Sequence, residues 1–210
     1  MRLIQRLCAL HRREDGFTLP ELIITVTIIG VIAAGLTGVV ISFLKTTTDT
    51  QSRLTESHDV QFAAAYWQRD VASIGVRSYD SGSKTFPLQQ SVDVTPACSL
   101  PTGTRIVTLA WSKYTSSDST AAPTTITVSY VAEPDTGGYN LIRTRCTGAT
   151  KDSEFEVMHS LNALPTTTCD INCTSTNVPT VVSLNVSVMD PDGRGSTALT
   201  ATLSGERRQT

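Results

Sequence analysis

The chain has 210 residues, of which 40% are apolar, and a formal net charge of -2. This length allows one ordinary domain with appendages, and the nearly balanced charge gives no reason to expect nucleic-acid binding. The apolar residues are concentrated in residues 22–44, which contain no Asp, Glu, Lys or Arg, whereas the rest of the chain is rich in Thr and Ser. The composition therefore predicts an apolar helix near the N-terminus, followed by a β-rich part.

The chain begins with a polar, basic stretch, residues 1–16, that contains Arg2, Arg6, Arg12 and Arg13 and ends in Gly16. A secretory signal peptide places its apolar segment before the cleavage site. Here the apolar run begins directly after the glycine, so the order is reversed. This order excludes an ordinary secretory signal peptide.

The uncharged run at residues 22–44 is long enough to cross a membrane. As a helix it would extend for roughly 35 Å at about 1.5 Å per residue, and a bilayer core is about 30 Å thick. Arginines precede the run, whereas Lys45 and Arg53 are mixed with Asp49 and Glu56 after it. The positive-inside rule then places the N-terminus in the cytoplasm and the larger C-terminal part outside. The alternative is a buried helix of a soluble protein, but few such helices run so long without a charge.

The junction between the two stretches carries a motif. The sequence Gly16-Phe17-Thr18-Leu19-Pro20-Glu21-Leu22 resembles the prepilin-peptidase site of type IV pilins and pseudopilins. This resemblance, which extends to about Leu44, implies that prepilin peptidase cleaves after Gly16. It also implies that Phe17 becomes the new N-terminal residue and is N-methylated. Pro20 departs from the aliphatic residue common in that family, but the first turn of a helix tolerates proline.

Glu21 is the single carboxylate at the edge of the apolar run. A carboxylate at membrane depth is costly and is a functional hypothesis by default. The resemblance to pilins implies that its partner is the N-terminal amine of Phe17 in a neighbouring subunit during assembly. The alternative is a glutamate that only favours the helix dipole, which would not explain the Gly-Phe-Thr-Leu before it.

A second apolar pattern continues the helix beyond residue 44. Its positions are separated by steps of four, three, four and three, which lie on one face of an α-helix: Val60, Ala64, Trp67, Val71 and Ile74. We therefore predict one helix over residues 18–76, with Trp67 as a core anchor of its second half. The boundaries divide the chain into a leader (1–16), a transmembrane and assembly helix (17–44), a stalk packed on the head (45–80) and an extracellular head (81–210).

The head is predicted to be a set of antiparallel strands. Runs rich in Val, Ile and Thr, separated by turn signals, predict strands at residues 105–113, 124–132, 139–146, 181–189 and 197–203. The second and third strands form one hairpin, the last two form another, and residues 154–158 are a short additional strand. A long helix across an antiparallel sheet is an α+β fold, which is also the architecture that the resemblance to pilins implies.

Four cysteines, Cys98, Cys146, Cys169 and Cys173, lie in the part predicted to be outside, and Cys8 lies in the leader. An even number in an oxidising compartment favours disulfides. A zinc site is the alternative, but only one Cys-x3-Cys pair is present and no second pair matches it. Three pairings are possible, and spacing favours Cys98–Cys146 and Cys169–Cys173.

The sequence offers no catalytic constellation, phosphate loop or cofactor motif, so we predict neither an enzyme nor a metal site. Asp190, Asp192 and Gly193 faintly resemble a calcium loop, but the EF-hand pattern is absent and a hairpin turn explains them. Trp67-Gln68-Arg69-Asp70 and the β-rich head resemble W- or J-type minor pilins and pseudopilins in layout.

The resulting functional hypothesis is a structural subunit, a minor pilin or pseudopilin of a type IV pilus or related filament. Its expected partners are prepilin peptidase, other pilin subunits, the cytoplasmic membrane and the pilus assembly machinery. The chain would first be a single-pass membrane protein with its head outside the cytoplasm, and then part of a cell-surface filament. The alternative is a membrane-anchored extracellular binding or adhesive domain that never assembles, and an anchored extracellular enzyme is a third possibility.

Overall fold

The structure is a computed structural model that describes residues 16–115, 121–189 and 198–208. Residues 1–15 of the predicted leader, including Cys8, the candidate calcium loop and the turn of the last hairpin lie outside these residues. The chain divides into two compact units, Met1–Thr48 and Asp49–Thr210.

One helix, α1, spans Leu19–Ser73, which confirms the predicted long helix. The described residues also form nine strands: β1 (Val76–Arg77), β2 (Leu88–Gln89), β3 (Thr104–Lys113), β4 (Thr124–Asp135), β5 (Gly138–Thr147), β6 (Thr150–Leu161), β7 (Thr166–Cys169), β8 (Val181–Val188) and β9 (Leu199–Glu206). Seven of these strands form one antiparallel sheet, and β1 and β2 form a separate pair.

The large sheet has the order β3-β4-β5-β6-β8-β7, and β9 pairs with β8. Strands β3 to β6 are joined as successive hairpins, and β8 pairs with β9 along its length, from Val181↔Glu206 to Val188↔Leu199. Strand β6 meets β8 only at Leu161↔Val188. The predicted α+β class and both predicted hairpin pairings are confirmed.

Within the second unit, helix α1 packs on the sheet through the predicted apolar stripe. Trp67, Val71 and Ile74 are fully buried, and Ala63 is buried beside them. The indole Nε1 of Trp67 donates a hydrogen bond to the carbonyl of Val182 at 3.1 Å. The Trp67 ring also meets the Tyr130 ring edge to face, with the centroids 5.2 Å apart, so both parts of this amphipathic side chain are satisfied. The prediction of Trp67 as a core anchor is confirmed.

The helix ends where the sequence places a glycine. Gly75 has a φ of 148°, which residues with a Cβ rarely adopt. Its N–H donates to the carbonyl of Ala110 at 3.0 Å, and its carbonyl accepts from the N–H of Ser112 at 3.2 Å. The chain therefore passes directly from the helix to the edge of β3.

The predicted strand at residues 154–158 is present but longer than expected. It is the twelve-residue strand β6, because pairing with β5 from Thr147↔Thr150 to Tyr139↔Leu161 supports a strand with several charged residues. The short strands β1, β2 and β7 were not predicted, since four residues or fewer give too little alternation to detect. Strands β4 and β5 also extend into the turn predicted between residues 132 and 139. The turn is reduced to the link between Asp135 and Gly138.

Two disulfides are present in the head. One joins Cys98 to Cys146, whose Cα atoms are 6.2 Å apart, and the other joins Cys169 to Cys173, with Cα atoms 5.5 Å apart. Cys146 lies opposite Thr127 in the pairing of β4 with β5. The first bridge thus ties the segment before β3 to the third strand of the sheet.

Candidate processing and assembly site

The residues that the sequence motif singles out lie at the start of helix α1. Gly16, Phe17 and Thr18 precede the helix and are exposed. A Cβ atom added at Gly16 would meet no other atom within 4 Å. The described part of the chain therefore leaves room for a Cβ at position 16 and gives no steric reason for the glycine.

Glu21 lies in the first turn of the helix. The carbonyl of Thr18 accepts hydrogen bonds from the N–H groups of Glu21, at 3.0 Å, and Leu22, at 3.1 Å. Pro20, which has no N–H to offer, lies where the first turn lacks intrahelical acceptors, so it does not interrupt the helix. The Glu21 side chain is exposed and has no hydrogen bond or ion pair with any residue that the structure describes.

The surface that follows Glu21 is apolar on every side. Each large hydrophobic residue from Phe17 to Leu44 is between 53% and 75% exposed. Helix α1 is long and apolar enough in this region to cross a membrane, and none of its most apolar window is buried within the chain. So much contiguous apolar surface marks an interaction with a membrane or with other proteins.

The threonine hydroxyls in the apolar part of the helix are satisfied by the helix itself. Thr25 Oγ1 donates to the carbonyl of Glu21, Thr27 Oγ1 to that of Ile23, and Thr37 Oγ1 to that of Ala33, each at 2.8 Å. A hydroxyl bonded to the preceding turn needs no water, and burial without a partner would be costly. The threonines are therefore compatible with apolar surroundings.

The second unit contains a buried ionic cluster that the sequence did not predict. Asp70 on the helix accepts two hydrogen bonds from Arg143 on β5, from Nε and Nη2, each at 2.7 Å. Tyr130 on β4 donates to the same carboxylate at 2.7 Å. The Arg143 guanidinium also lies over the Tyr66 and Phe155 rings, 5.2 and 5.7 Å from their centroids. This cluster joins the helix to two strands.

The electrostatics of the cluster favour a structural role. Burial, reinforced by the neighbouring Asp70 carboxylate, raises the pKa of Tyr130 well above its ordinary value. Burial lowers the pKa of Arg143, but the hydrogen bonds and charge of Asp70 outweigh it and raise that pKa overall. Asp70 is one position before Val71 of the predicted apolar stripe. An acidic residue at the edge of a buried stripe was the available signal for a buried partner.

A further polar contact joins the helix to β6. Asp59 Oδ2 lies 2.9 Å from His159 Nδ1 and accepts from the His159 backbone N–H at 3.2 Å. His159 Nε2 lies 3.5 Å from a Glu156 carboxylate oxygen. Among the described residues, no group of three or more His, Cys, Asp or Glu side chains is placed to hold a metal ion.

Comparison with protein families gives one result that bears on this segment. Residues 11–37 match the family model described as the prokaryotic N-terminal methylation motif. The match includes Gly16, Phe17 and Glu21, together with the first part of helix α1. Comparisons with curated protein sequences and with solved structures gave no match. The motif, the membrane-capable helix and the α+β architecture together support the class of type IV prepilin-like proteins.

Proposed function

We propose that the protein is a structural subunit, a minor pilin or pseudopilin, of a type IV pilus or related filament. The observation that carries this proposal is the exposed apolar stretch of α1 directly after the methylation motif. Such a surface requires cover, first from the lipid bilayer and then from the equivalent helices of neighbouring subunits. Prepilin-like proteins are structural components, which supports a role in assembly over an enzymatic one.

The proposed route begins at the cytoplasmic membrane. Prepilin peptidase removes residues 1–16, and Phe17 becomes the N-methylated N-terminal residue. The arginines of the leader hold that end in the cytoplasm, and the head is outside, where its two disulfides fit an oxidising compartment. The pilus assembly machinery then moves the subunit from the membrane into the filament.

Glu21 has a defined role in this proposal. A carboxylate and an ammonium group attract each other strongly where the surroundings are apolar, and an unpaired charge there is destabilising. The Glu21 side chain has no partner among the described residues of its own chain. Its proposed partner is the Phe17 amine of the adjacent subunit, so that the pair forms only on assembly.

The first test is the mass of the mature N-terminus. We expect a chain that begins at Phe17 with one added methyl group. Gly16→Leu should block processing, whereas Gly16→Ala should be partly tolerated. An alanine Cβ would meet no described atom within 4 Å, so any loss of cleavage in Gly16→Ala would reflect recognition by the peptidase. A chain that retains Met1 would favour the membrane-anchored domain that never assembles, and a cut after the apolar run would refute the prepilin interpretation.

The second test separates assembly from folding. Glu21→Ala should leave cleavage and the melting temperature of the head unchanged, while incorporation into sheared filaments falls at least about tenfold, as expected for a lost charge pair. Glu154→Ala, which removes an exposed head carboxylate paired with Lys151, is the control and should assemble normally. Equal incorporation of the Glu21→Ala protein would show that the carboxylate has no part in assembly.

A further inference from the structure

A cavity of about 380 Å³ lies beside the second half of helix α1, where residues 52–59 face the ends of strands β6 and β8. All of its lining residues belong to the unit Asp49–Thr210. Its walls include Ser52, Glu56, Asp59, His159, Val188 and Met189. The processing and assembly segment uses none of these residues.

The cavity contains a carboxylate that lacks a partner. Glu56 is only 8% exposed, yet its side chain has no hydrogen bond or ion pair with any residue in the described part of the chain. The Ser52 hydroxyl, one turn earlier on the same face, is also buried without a hydrogen-bond partner. By contrast, Asp59 is bound by both the side chain and the backbone of His159. Buried polar groups are normally satisfied, so Glu56 and Ser52 together indicate an incomplete site.

The chemistry of the walls defines what would complete the site. Val188 and Met189 present apolar surface, and Glu56 and Asp59 present carboxylates. A ligand that matches both has an apolar stem and a cationic, hydrogen-bond-donating head, as the side chains of lysine and arginine do. We propose that this cavity receives a lysine or arginine side chain of a neighbouring subunit, whose cationic head pairs with Glu56.

The identity of the partner rests on the proposed function, whereas the binding chemistry does not. In a filament, a neighbouring subunit is the protein surface at the highest local concentration. Pairing across such an interface would give Glu56 the partner that it lacks among the described residues, and losing one member of a buried pair is strongly destabilising.

The binding chemistry can be tested with n-butylguanidinium chloride as the probe. The full chain in non-ionic detergent is titrated with the probe, and saturation transfer to its butyl protons is measured by NMR. We expect saturable binding that Glu56→Gln weakens about tenfold, the effect of losing one charge-assisted hydrogen bond. Glu154→Gln removes a carboxylate outside the cavity and should bind as the wild type does. Equal binding to the wild type and to Glu56→Gln, or equal binding of uncharged n-butanol and the probe, would overturn the proposal.

A second variant tests whether Glu56→Gln weakens probe binding only indirectly, through a change in the fold. Ser52→Leu retains the carboxylate but fills the cavity from a position where the helix accepts leucine readily, and it should abolish probe binding while near-UV circular dichroism stays unchanged. Probe binding that survives this variant would place the probe elsewhere and overturn the site. In cells, Glu56→Gln should lower incorporation into filaments severalfold without affecting cleavage after Gly16. Probe binding with normal incorporation would refute the neighbouring-subunit partner, whereas an uncut chain would refute the proposed function alone.

Discussion

The two parts of helix α1 satisfy their side chains in different ways. Between residues 19 and 44 every large hydrophobic residue is more than half exposed, whereas Trp67 and Val71 are fully buried. The polar residues differ in the same manner, since Glu21 has no partner among the described residues and Asp70 has two. The second part is completed by the strands of its own chain. The first part requires other molecules.

This difference separates the residues that determine the stability of the head from those that act through other molecules. The head is stabilised by contacts between residues far apart in the sequence, so substitutions there should change the stability of the isolated protein. The N-terminal segment has no such contacts, so substitutions there should change processing and assembly only.

The largest effect is expected at the buried ionic cluster. Asp70→Ala should lower the free energy of unfolding by about 3–5 kcal/mol, because the Arg143 guanidinium would remain buried without its carboxylate. Chemical denaturation of the purified protein measures this change.

Two further variants test the explanation. The double variant Asp70→Leu with Arg143→Met should recover most of the lost stability, since apolar replacements of a buried pair are often neutral. Glu154→Ala breaks the exposed pair with Lys151 and should cost less than about 1 kcal/mol. If Asp70→Ala and Glu154→Ala were equally destabilising, the cluster would not be the link between helix and sheet that its geometry indicates.

The sequence predicted the parts of the fold that depend on local pattern. The helix, the main strands and the anchor Trp67 follow from spacing and from turn residues. The contact of Asp70 with Arg143 spans 73 positions and depends on the register of β5 under the helix, which no local pattern contains. The candidate site differs because Gly16, Phe17 and Glu21 lie within six consecutive positions, so a short motif identifies them. Their roles stay predictions, since the partners they require are other molecules.

The disulfides should differ in their effects. Cys98 and Cys146 are separated by 48 positions, and Cys169 and Cys173 by 4. In the chain-entropy model the longer loop contributes about 4 kcal/mol and the shorter about 2 kcal/mol. We expect Cys98→Ser to lower the melting temperature of the head more than Cys169→Ser.

Non-reducing peptide mapping tests the pairing itself. A peptide that links Cys98 to Cys169 or Cys173 would contradict it. Free thiols at all four positions would also contradict an extracytoplasmic head.

A close contact between strand β9 and the helix is expected to have a smaller effect. A Cβ atom at Gly205 would lie 2.6 Å from Val71 Cβ and 3.0 Å from both of its Cγ atoms. Gly205→Ala should therefore cost about 1–3 kcal/mol through overpacking, as measured by thermal denaturation. Gly35→Ala is the matched control, because its added Cβ would meet no atom within 4 Å, and it should not destabilise the protein. If Gly35→Ala destabilised the protein and Gly205→Ala did not, the tightly packed part of the helix would not be the part that Gly205 contacts.

The smallest expected effect is a pH dependence of opposite sign at two carboxylates of β6. Burial raises the pKa of Glu156, the His159 charge opposes this, and Asp135, Asp59 and Glu133 reinforce it. The hydrogen bond from Lys151, at 2.7 Å, lowers the pKa of Glu154. A raised carboxyl pKa means that the folded state binds the proton more tightly, so stability is lost as the pH rises through the titration range. A lowered carboxyl pKa means the reverse, so the stability that the group contributes is lost as the pH falls.

At pH 8 we therefore expect Glu156→Gln to raise the melting temperature slightly and Glu154→Gln to reduce it slightly. Each change in the free energy of unfolding should be less than about 0.5 kcal/mol. Both differences from the wild type should shrink at pH 3.5, below the ordinary carboxyl pKa of about 4.3. Shifts of the same sign at pH 8 would show that the two environments do not differ as their contacts indicate.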